Sequence, residues 1–284
     1  MIVAINGNRH QEAHFQDIER LVDAFLRRDD KVIMSDRFLD YLEDRIGGRF
    51  AIGIERIRLA DKPQADLAIA IGGDGAFLKT AAWVGDSGIP VAGINTGHLG
   101  FLAAFSFDNP DDINRYLIAG DYVIEDRTML EVETPAGVFH ALNEAAITRG
   151  ENASMVSIRT EINGHDSLTY KGDGLILATP TGSTAYNLSV GGPILDPSVA
   201  GWIIAPIAAH SLTVRPLVIN DSSVVRLHVE LRSPTFRLTL DGKSMSLPDG
   251  SLLSISKARW PLRLVTLPGH NFTDTLTTKM GLGN

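Results

Sequence analysis

An α/β domain with a parallel sheet followed by an all-β domain is the fold class that this 284-residue sequence predicts. Two observations predict it. Up to about residue 119, short apolar runs alternate with stretches whose apolar residues recur every three or four positions, the mark of βαβ units. From Tyr122 onward the apolar period is two, in short runs separated by Gly, Pro, Asp or Ser, the mark of hairpins and packed sheets.

Composition permits both halves and excludes several functions. Hydrophobic residues make up 44% and charged residues 21%, enough for a substantial core. The net charge of −8 argues against a nucleic-acid partner, since phosphate backbones need clustered Lys and Arg. There are no cysteines, which excludes disulfides, thiolate zinc sites and thiol nucleophiles. The opening Met1 to Ile5 is apolar but stops at Asn6-Gly7, too short for a signal peptide, and no run of about 18 apolar residues spans a membrane. The expectation is a cytoplasmic protein with no membrane partner.

In order, Met1 to Ile5 reads as a buried strand followed by the turn Asn6-Gly7-Asn8. Phe15, Ile18, Leu21, Val22, Phe25 and Leu26 give a helix with one apolar face. Lys31 to Met34 is a short strand, and Phe38, Leu39 and Leu42 mark a second helix closed by Gly47-Gly48. Asp66 to Ile71 is the central strand. It ends abruptly in Gly72-Gly73-Asp74-Gly75, after which Phe77, Leu78, Ala81, Ala82 and Val84 return to helical spacing. Ile89 to Ile94 is a further strand running into a second glycine turn, Asn95 to Gly100, and Pro110 opens one more helix. In the second half, Met129 to Leu142 and Val156 to Tyr170 read as hairpins. Val224 to Leu231, Phe236 to Leu240, Leu252 to Ile255 and Leu262 to Leu267 read as strands. Asn271 to Lys279 reads as a short helix, with Gly281 to Asn284 frayed.

Strand, glycine turn and helix together make a phosphate site, because ligands bind at the carboxyl ends of such strands, where helix N-termini attract anions. Gly72, Gly73 and Gly75 let the backbone approach a phosphate. Asp74 is repelled by a phosphate unless it handles a proton or a metal; the alternative is that it caps the helix. If the strand before Asn95 neighbours the central one, both turns face one crevice; the alternative is a loop that only reverses the chain. Lys171 to Ile194 does not read as a strand. It is rich in Gly, Ser and Thr between apolar flanks, which suits contact with a polar, planar ligand; the alternative is a surface turn. Trp202 to Ile207 is apolar enough to be an intersubunit contact or an ordinary core strand.

Other chemistries lack their motifs. No Gly-x-Gly-x-x-Gly occurs, Arg237 stands where a Walker A loop ending in Gly242-Lys243-Ser244 needs glycine, no His-Glu-x-x-His is present, and Ser183 is not in Gly-x-Ser-x-Gly.

Gly72-Gly73-Asp74-Gly75, Asn143-Glu144 and Gly172-Asp173-Gly174 through Gly192, in that order, resemble the NAD kinases. Asn95 to Phe101 and Arg215-Pro216-Leu217 are similar to that family's pattern too. Gly-Gly-Asp-Gly alone looks much the same in diacylglycerol, sphingosine and phosphofructo-kinases, whereas Thr179 to Tyr186 followed by Gly191-Gly192-Pro193-Ile194 is specific. The resemblance runs roughly from the central strand to Lys243.

The resemblance implies an enzyme that moves the γ-phosphoryl of ATP, carried with Mg2+ or another divalent cation, to the 2′-hydroxyl of the adenosine ribose of NAD. It implies Asp74 as the base for that hydroxyl and Gly72, Gly73, Gly75 and Asn95 along the donor phosphates. Phe101 would lie near the adenine, Asn143 and Glu144 on the adenine-side ribose and base, and Asp173 at the nicotinamide carboxamide. Thr181, Thr184, Ala185, Tyr186 and Ser189 would line the NAD site, with Asp241 beside it. Lys171 stands where the family can carry a basic residue, and NAD rather than NADH is the expected acceptor. No side chain is assigned to a metal. A homo-oligomer, dimer or tetramer, is implied. So is a chain whose last segment returns to the first domain, giving 1–119 with 268–284 as the donor domain and 120–267 as the NAD domain. Ala76 departs from the usual Thr or Asn, which touches on donor choice. A lipid kinase of the same fold and a non-catalytic NAD sensor remain alternatives.

Overall fold

The switch from helical to alternating patterning becomes a division into two units, Met1–Asp126 with Leu262–Asn284, and Arg127–Pro261. The computed structural model describes residues 1–46, 50, 52–97, 100–150 and 155–282. The closing Gly47-Gly48, residues 98–99 of the second glycine turn and the last two residues lie outside that set.

The first unit is built on parallel strands β1 (Ile2–Gly7), β2 (Lys31–Ser35), β3 (Ile54–Ile57), β4 (Leu67–Ile71) and β5 (Val91–Asn95), in the order β3-β2-β1-β4-β5. Helices α1 (Phe15–Arg27), α2 (Asp36–Ile46) and α3 (Asp74–Val84) connect them. All five residues of β4 are buried, as a central parallel strand covered on both faces requires. Alternation sends Leu67, Ile69 and Ile71 into one core with Ile18, Leu21, Phe25, Phe38 and Leu42 from α1 and α2. The other face carries the small Ala68 and Ala70. On β5 its counterpart is Gly93, where a side chain would meet Phe77 of α3 at 3.1 Å. A buried polar chain also ties α3 to the sheet. Ser35 Oγ donates to Asn6 Oδ1 (2.7 Å), Asn6 Nδ2 donates to Thr80 Oγ1 (3.0 Å), and Thr80 Oγ1 donates to the carbonyl of Ala76 (2.9 Å).

Two strands from the stretch assigned to the all-β half, of which only the second in sequence is expected as a strand, belong to this sheet. Leu262–Thr266 runs parallel to β5 through Leu264 opposite Val91, and Val123–Arg127 follows it in the strand order. The expected boundaries at 119/120 and 267/268 therefore differ from the observed ones by several residues. A strand's own alternation says which face is buried, not which sheet it joins. The edge strand β3, with its partly exposed Ile-Glu-Arg-Ile, carried too short an apolar run to be read from sequence.

The second unit is two six-stranded antiparallel sheets. One is ordered from Leu217–Asn220 through Gly201–Ile207, Gly174–Ala178, Glu144–Arg149 and Thr235–Leu240 to Lys243–Pro248. The other contains Val156–Ile162 and His165–Gly172, paired across Asn163-Gly164 as the sequence predicts. Trp202 to Ala205 are fully buried on a strand paired on both sides in the first of these sheets, with Pro206 and Ile207 half-buried. Most of that apolar run packs within its own unit as a core strand, which is the ordinary-core alternative for it.

Candidate functional site

The first unit's chain leaves β1 toward β2 and β3, then returns to the other side of β1 as β4. The strand order therefore reverses between β1 and β4, and α/β folds bind ligands in the crevice at such a point. Gly7 and Asn8 end one strand and Gly72 the other. The N–H of Asn8 donates to the Ile71 carbonyl (3.0 Å), and the N–H of Gly72 donates to the Ile94 carbonyl (2.9 Å). The Asn95 turn thus starts beside the glycine turn, as expected for adjacent strands.

Gly72 sits at φ +137°, and a Cβ there would approach the Ala76 Cβ to 2.9 Å. Glycine is needed for both reasons. Gly73 is the residue preceding α3 in extended backbone, and space is open beside Gly73 and Gly75. The first N–H groups of a helix have no intrahelical acceptor, so this end of α3 presents donors to an anion. Asn95 keeps its side chain local, its Oδ1 accepting the N–H of Gly97 (3.1 Å). Ala76 is fully buried beneath the turn, so it does not reach a ligand above it.

Asp74 heads α3 but does not cap it. Its carboxylate crosses to another loop, where Oδ2 accepts the N–H of Phe101 (2.9 Å) and Oδ1 that of Leu102 (3.0 Å). Phe101 is half-buried on that loop. A carboxylate has about four lone-pair sites, so two remain for a substrate hydroxyl.

In the second unit the sequence-assigned residues form two groups. Asp241, in left-handed backbone (φ 47°), accepts the N–H groups of Leu142 (2.6 Å), Asn143 (2.8 Å) and Glu144 (3.2 Å). This fixes Asn143-Glu144 where the strand Glu144–Arg149 begins. Burial and then the neighbouring Asp241 push the Glu144 carboxyl up to about 7, against the Tyr186 N–H, which favours its charged form. Glu144 Oε2 is buried with no protein partner. Burial also raises Asp241, opposed by its three N–H bonds.

Contrary to expectation the Gly/Ser/Thr segment begins in strands, through Gly172 and over Gly174–Ala178, because its apolar Leu175 to Ala178 pair on both sides in the sheet; beyond them it joins this group. The N–H of Thr179 donates to the Asn143 carbonyl (2.9 Å), and Thr179 Oγ1 donates to the Leu142 carbonyl (2.6 Å). Any Cβ on Gly182 would collide with the Asn143 carbonyl. Several polar groups here serve the segment itself. Ser183 Oγ bonds Leu195, Thr184 Oγ1 donates to the Thr181 carbonyl, and Asn187 Nδ2 donates to the Ser183 and Pro193 carbonyls (3.0 Å each). Thr181 is buried, Ala185 half-buried, and Tyr186 and Ser189 exposed.

Lys171 and Asp173 lie elsewhere. Glu144 is opposite Ala178, while Asp173 precedes Gly174 at the other end of that strand, about 17 Å away at roughly 3.3 Å per residue. There Asp173 Oδ1 accepts from Arg149 Nε (2.7 Å), a partner that becomes visible only once the strand register is known. Sequence likewise gives Asn8 and Asn187 no individual role, and Thr179 and Gly182 enter it only as members of the Thr179 to Tyr186 motif, because what each does arises from contacts. Among the described residues no three His, Asp or Glu side chains converge as a metal-ligand set, and no helix is long and apolar enough to cross a membrane.

Comparison with known proteins covers both units. The family model for the ATP-NAD kinase N-terminal domain matches residues 52–122, and that for the C-terminal domain matches 142–267. The chain is similar to the NAD kinase of Bacteroides fragilis, 46% identical over 227 residues, 77% of each chain. It is also similar to the NAD kinase of Porphyromonas gingivalis, 38% identical over 285 residues, covering 99% of this chain and 98% of that one. Two solved structures share the fold. Yeast NADH kinase complexed with NADH superposes with a TM-score of 0.89 at 24% identity, covering 100% of this chain and 88% of that one. An NAD kinase from Archaeoglobus fulgidus in complex with ATP gives 0.74 at 22%, covering 99% of each.

Proposed function

Because the chain belongs to the NAD kinase family, we propose that it transfers the γ-phosphoryl of ATP to the 2′-hydroxyl of the adenosine ribose of NAD, giving NADP and ADP. The observation that carries this reading is the likeness to an NAD kinase along 99% of the chain. Phosphoryl transfer relies on positioning and charge neutralisation. The glycine turn and the α3 N-terminus receive the donor phosphates. Asp74, fixed through Phe101 and Leu102, takes the proton of the attacking hydroxyl by its remaining lone pairs. The 2′-oxygen–phosphorus bond forms as the bond to the ADP oxygen breaks. Mg2+ or another divalent cation accompanying ATP would neutralise charge on the phosphates. Glu144, with Oε2 open, and Asn143 bind the adenosine side of NAD. Thr181, Thr184, Ala185, Tyr186 and Ser189 line that site. Asp173 and Lys171 contact the nicotinamide end, with NAD preferred to NADH.

A cytoplasmic homo-oligomer completes the proposal. It rests on the family resemblance, since the apolar run first considered for the contact is a core strand. Incubating the purified protein with NAD, ATP and Mg2+ and following NADP through an NADP-specific dehydrogenase tests the activity. NADP in step with ADP is the expected result. Tight NAD binding without NADP would make the protein a sensor, and label transfer from ATP to diacylglycerol instead would make it a lipid kinase.

A further inference from the structure

Residues 100–103 form the loop whose backbone holds Asp74, and that loop is gripped from two sides. On one side the Asp74 carboxylate accepts the N–H groups of Phe101 and Leu102 (2.9 and 3.0 Å). On the other, Lys279 Nζ donates to the carbonyl of Gly100 and, at 3.3 Å, to that of Ala103. A side chain at Gly100 would collide with the Asp74 carboxylate, so there is no slack between loop and acid. Lys279 sits in the last turn of the C-terminal helix Phe272–Met280. That helix is anchored at its start, where Asn271 Oδ1 accepts the N–H of Thr273 (3.0 Å). His270 adds a second tie to the helix through Thr275.

We propose that Lys279 is a positioning residue for phosphoryl transfer, clamping the 100–103 loop by its carbonyls while Asp74 holds the same loop by its N–H groups. This rests on the reading of Asp74 as the base. The geometry carries it: four backbone groups of one four-residue loop go to one carboxylate and one ammonium, and the two side chains come from the two separate segments of the first unit. The partial burial of Lys279 agrees. Desolvation lowers its proton affinity, and the charge of Asp74 opposes that loss. The final helix therefore acts on the loop beside Asp74. It delivers a cation against the loop that orients the acid, at a point about 200 residues beyond Asp74 in the sequence.

The absence of cysteine gives a direct test. Lys279→Cys carries a unique thiol, and alkylation with 2-bromoethylamine restores an ammonium at nearly the original reach, whereas iodoacetamide leaves a neutral group of similar size. Lys279→Cys and Lys279→Met should lose at least tenfold in kcat, with the KM values for NAD and ATP within about twofold of the parent. Aminoethylation, but not carbamidomethylation, should restore most of the kcat. In parallel, hydrogen exchange at the Phe101 and Leu102 amides should speed up at least tenfold in Lys279→Met and return toward the parent rate in the aminoethylated protein.

A parental kcat in Lys279→Met, or rescue by both reagents alike, would overturn the proposal. A kcat that stays low after aminoethylation of protein with a parental melting temperature would overturn it too. The exchange measurement separates this from the functional reading. Should the parent protein make no NADP, the NAD kinase reading fails, and unchanged exchange at Phe101 and Leu102 in Lys279→Met would independently overturn the clamp.

Discussion

The carboxyl of Glu144 lies beside that of Asp241 in the interior of the second unit, but only Asp241 is given three backbone N–H groups. One acid is built into the turn and the other is left with an open oxygen, Oε2. This asymmetry leaves Glu144 as the member with a hydrogen-bonding oxygen to spare.

It also sets a pH dependence. Glu144 has a folded-state value raised from 4.5 to about 7. Below about pH 4.5 both states hold the proton and Glu144 costs nothing. As pH rises from there the unfolded chain releases the proton first, so stability falls until pH passes about 7. The loss is on the order of 3 kcal/mol in all. Glu144→Gln should remove it. Melting temperatures of the two proteins should converge near pH 5 and separate by pH 8, with the variant higher; parallel curves would contradict the burial argument. If Glu144 accepts ribose hydroxyls as proposed, NAD affinity of the variant should drop at pH 8, where the carboxylate is ionised.

Ala76 was noted as a departure touching donor choice. In the structure it is fully buried, and even a Cβ on Gly72 would come within 2.9 Å of its Cβ. Ala76→Thr should therefore leave the KM for ATP within about twofold and lower stability by about 1–3 kcal/mol through overpacking. Thermal melts and ATP titration read both. A several-fold fall in the ATP KM would mean that the position does reach the donor.

Asn187 is buried and donates to two carbonyls of the Gly/Ser/Thr segment. Asn187→Ala leaves both unpaired, at about 1–3 kcal/mol each where water cannot enter. The melting temperature should fall by several degrees and the KM for NAD should rise, with the ATP KM unchanged. An effect on ATP alone would contradict this placement of the segment.

Some of this was legible in the sequence for physical reasons. The β4 run Leu-Ala-Ile-Ala-Ile is a buried parallel strand and the glycines after it punctuate sharply, so strand, turn and helix all emerged where expected. Asn163-Gly164 likewise announced its hairpin. What stayed hidden depends on pairing. Phe101 and Leu102 give Asp74 backbone N–H groups, which every residue but proline has and no sequence pattern reveals. Asp241 reaches Asn143 across 98 positions, and Arg149 meets Asp173 only in the final register. Leu262–Thr266 looked like one more strand of the β half because alternation does not name its neighbour. Trp202 to Ile207 could be a contact or a core strand from sequence alone, because the two strands that flank it could not be seen.

The central claim is that the Asp74 carboxylate accepts the proton of the NAD 2′-hydroxyl. Asp74→Asn keeps the shape but gives up proton acceptance, and its NH2 meets one of the two backbone N–H groups that the carboxylate now holds. The most direct measurement is the kcat for NADP formation by Asp74→Asn, taken with NAD affinity by calorimetry and with Mg2+ varied. A fall of about 10²–10⁴-fold is expected, the worth of general-base catalysis, with NAD affinity nearly unchanged and no rescue by added Mg2+. A variant that keeps more than about a tenth of the parental kcat would contradict the claim and leave Asp74 as an anchor for the 101–102 loop alone.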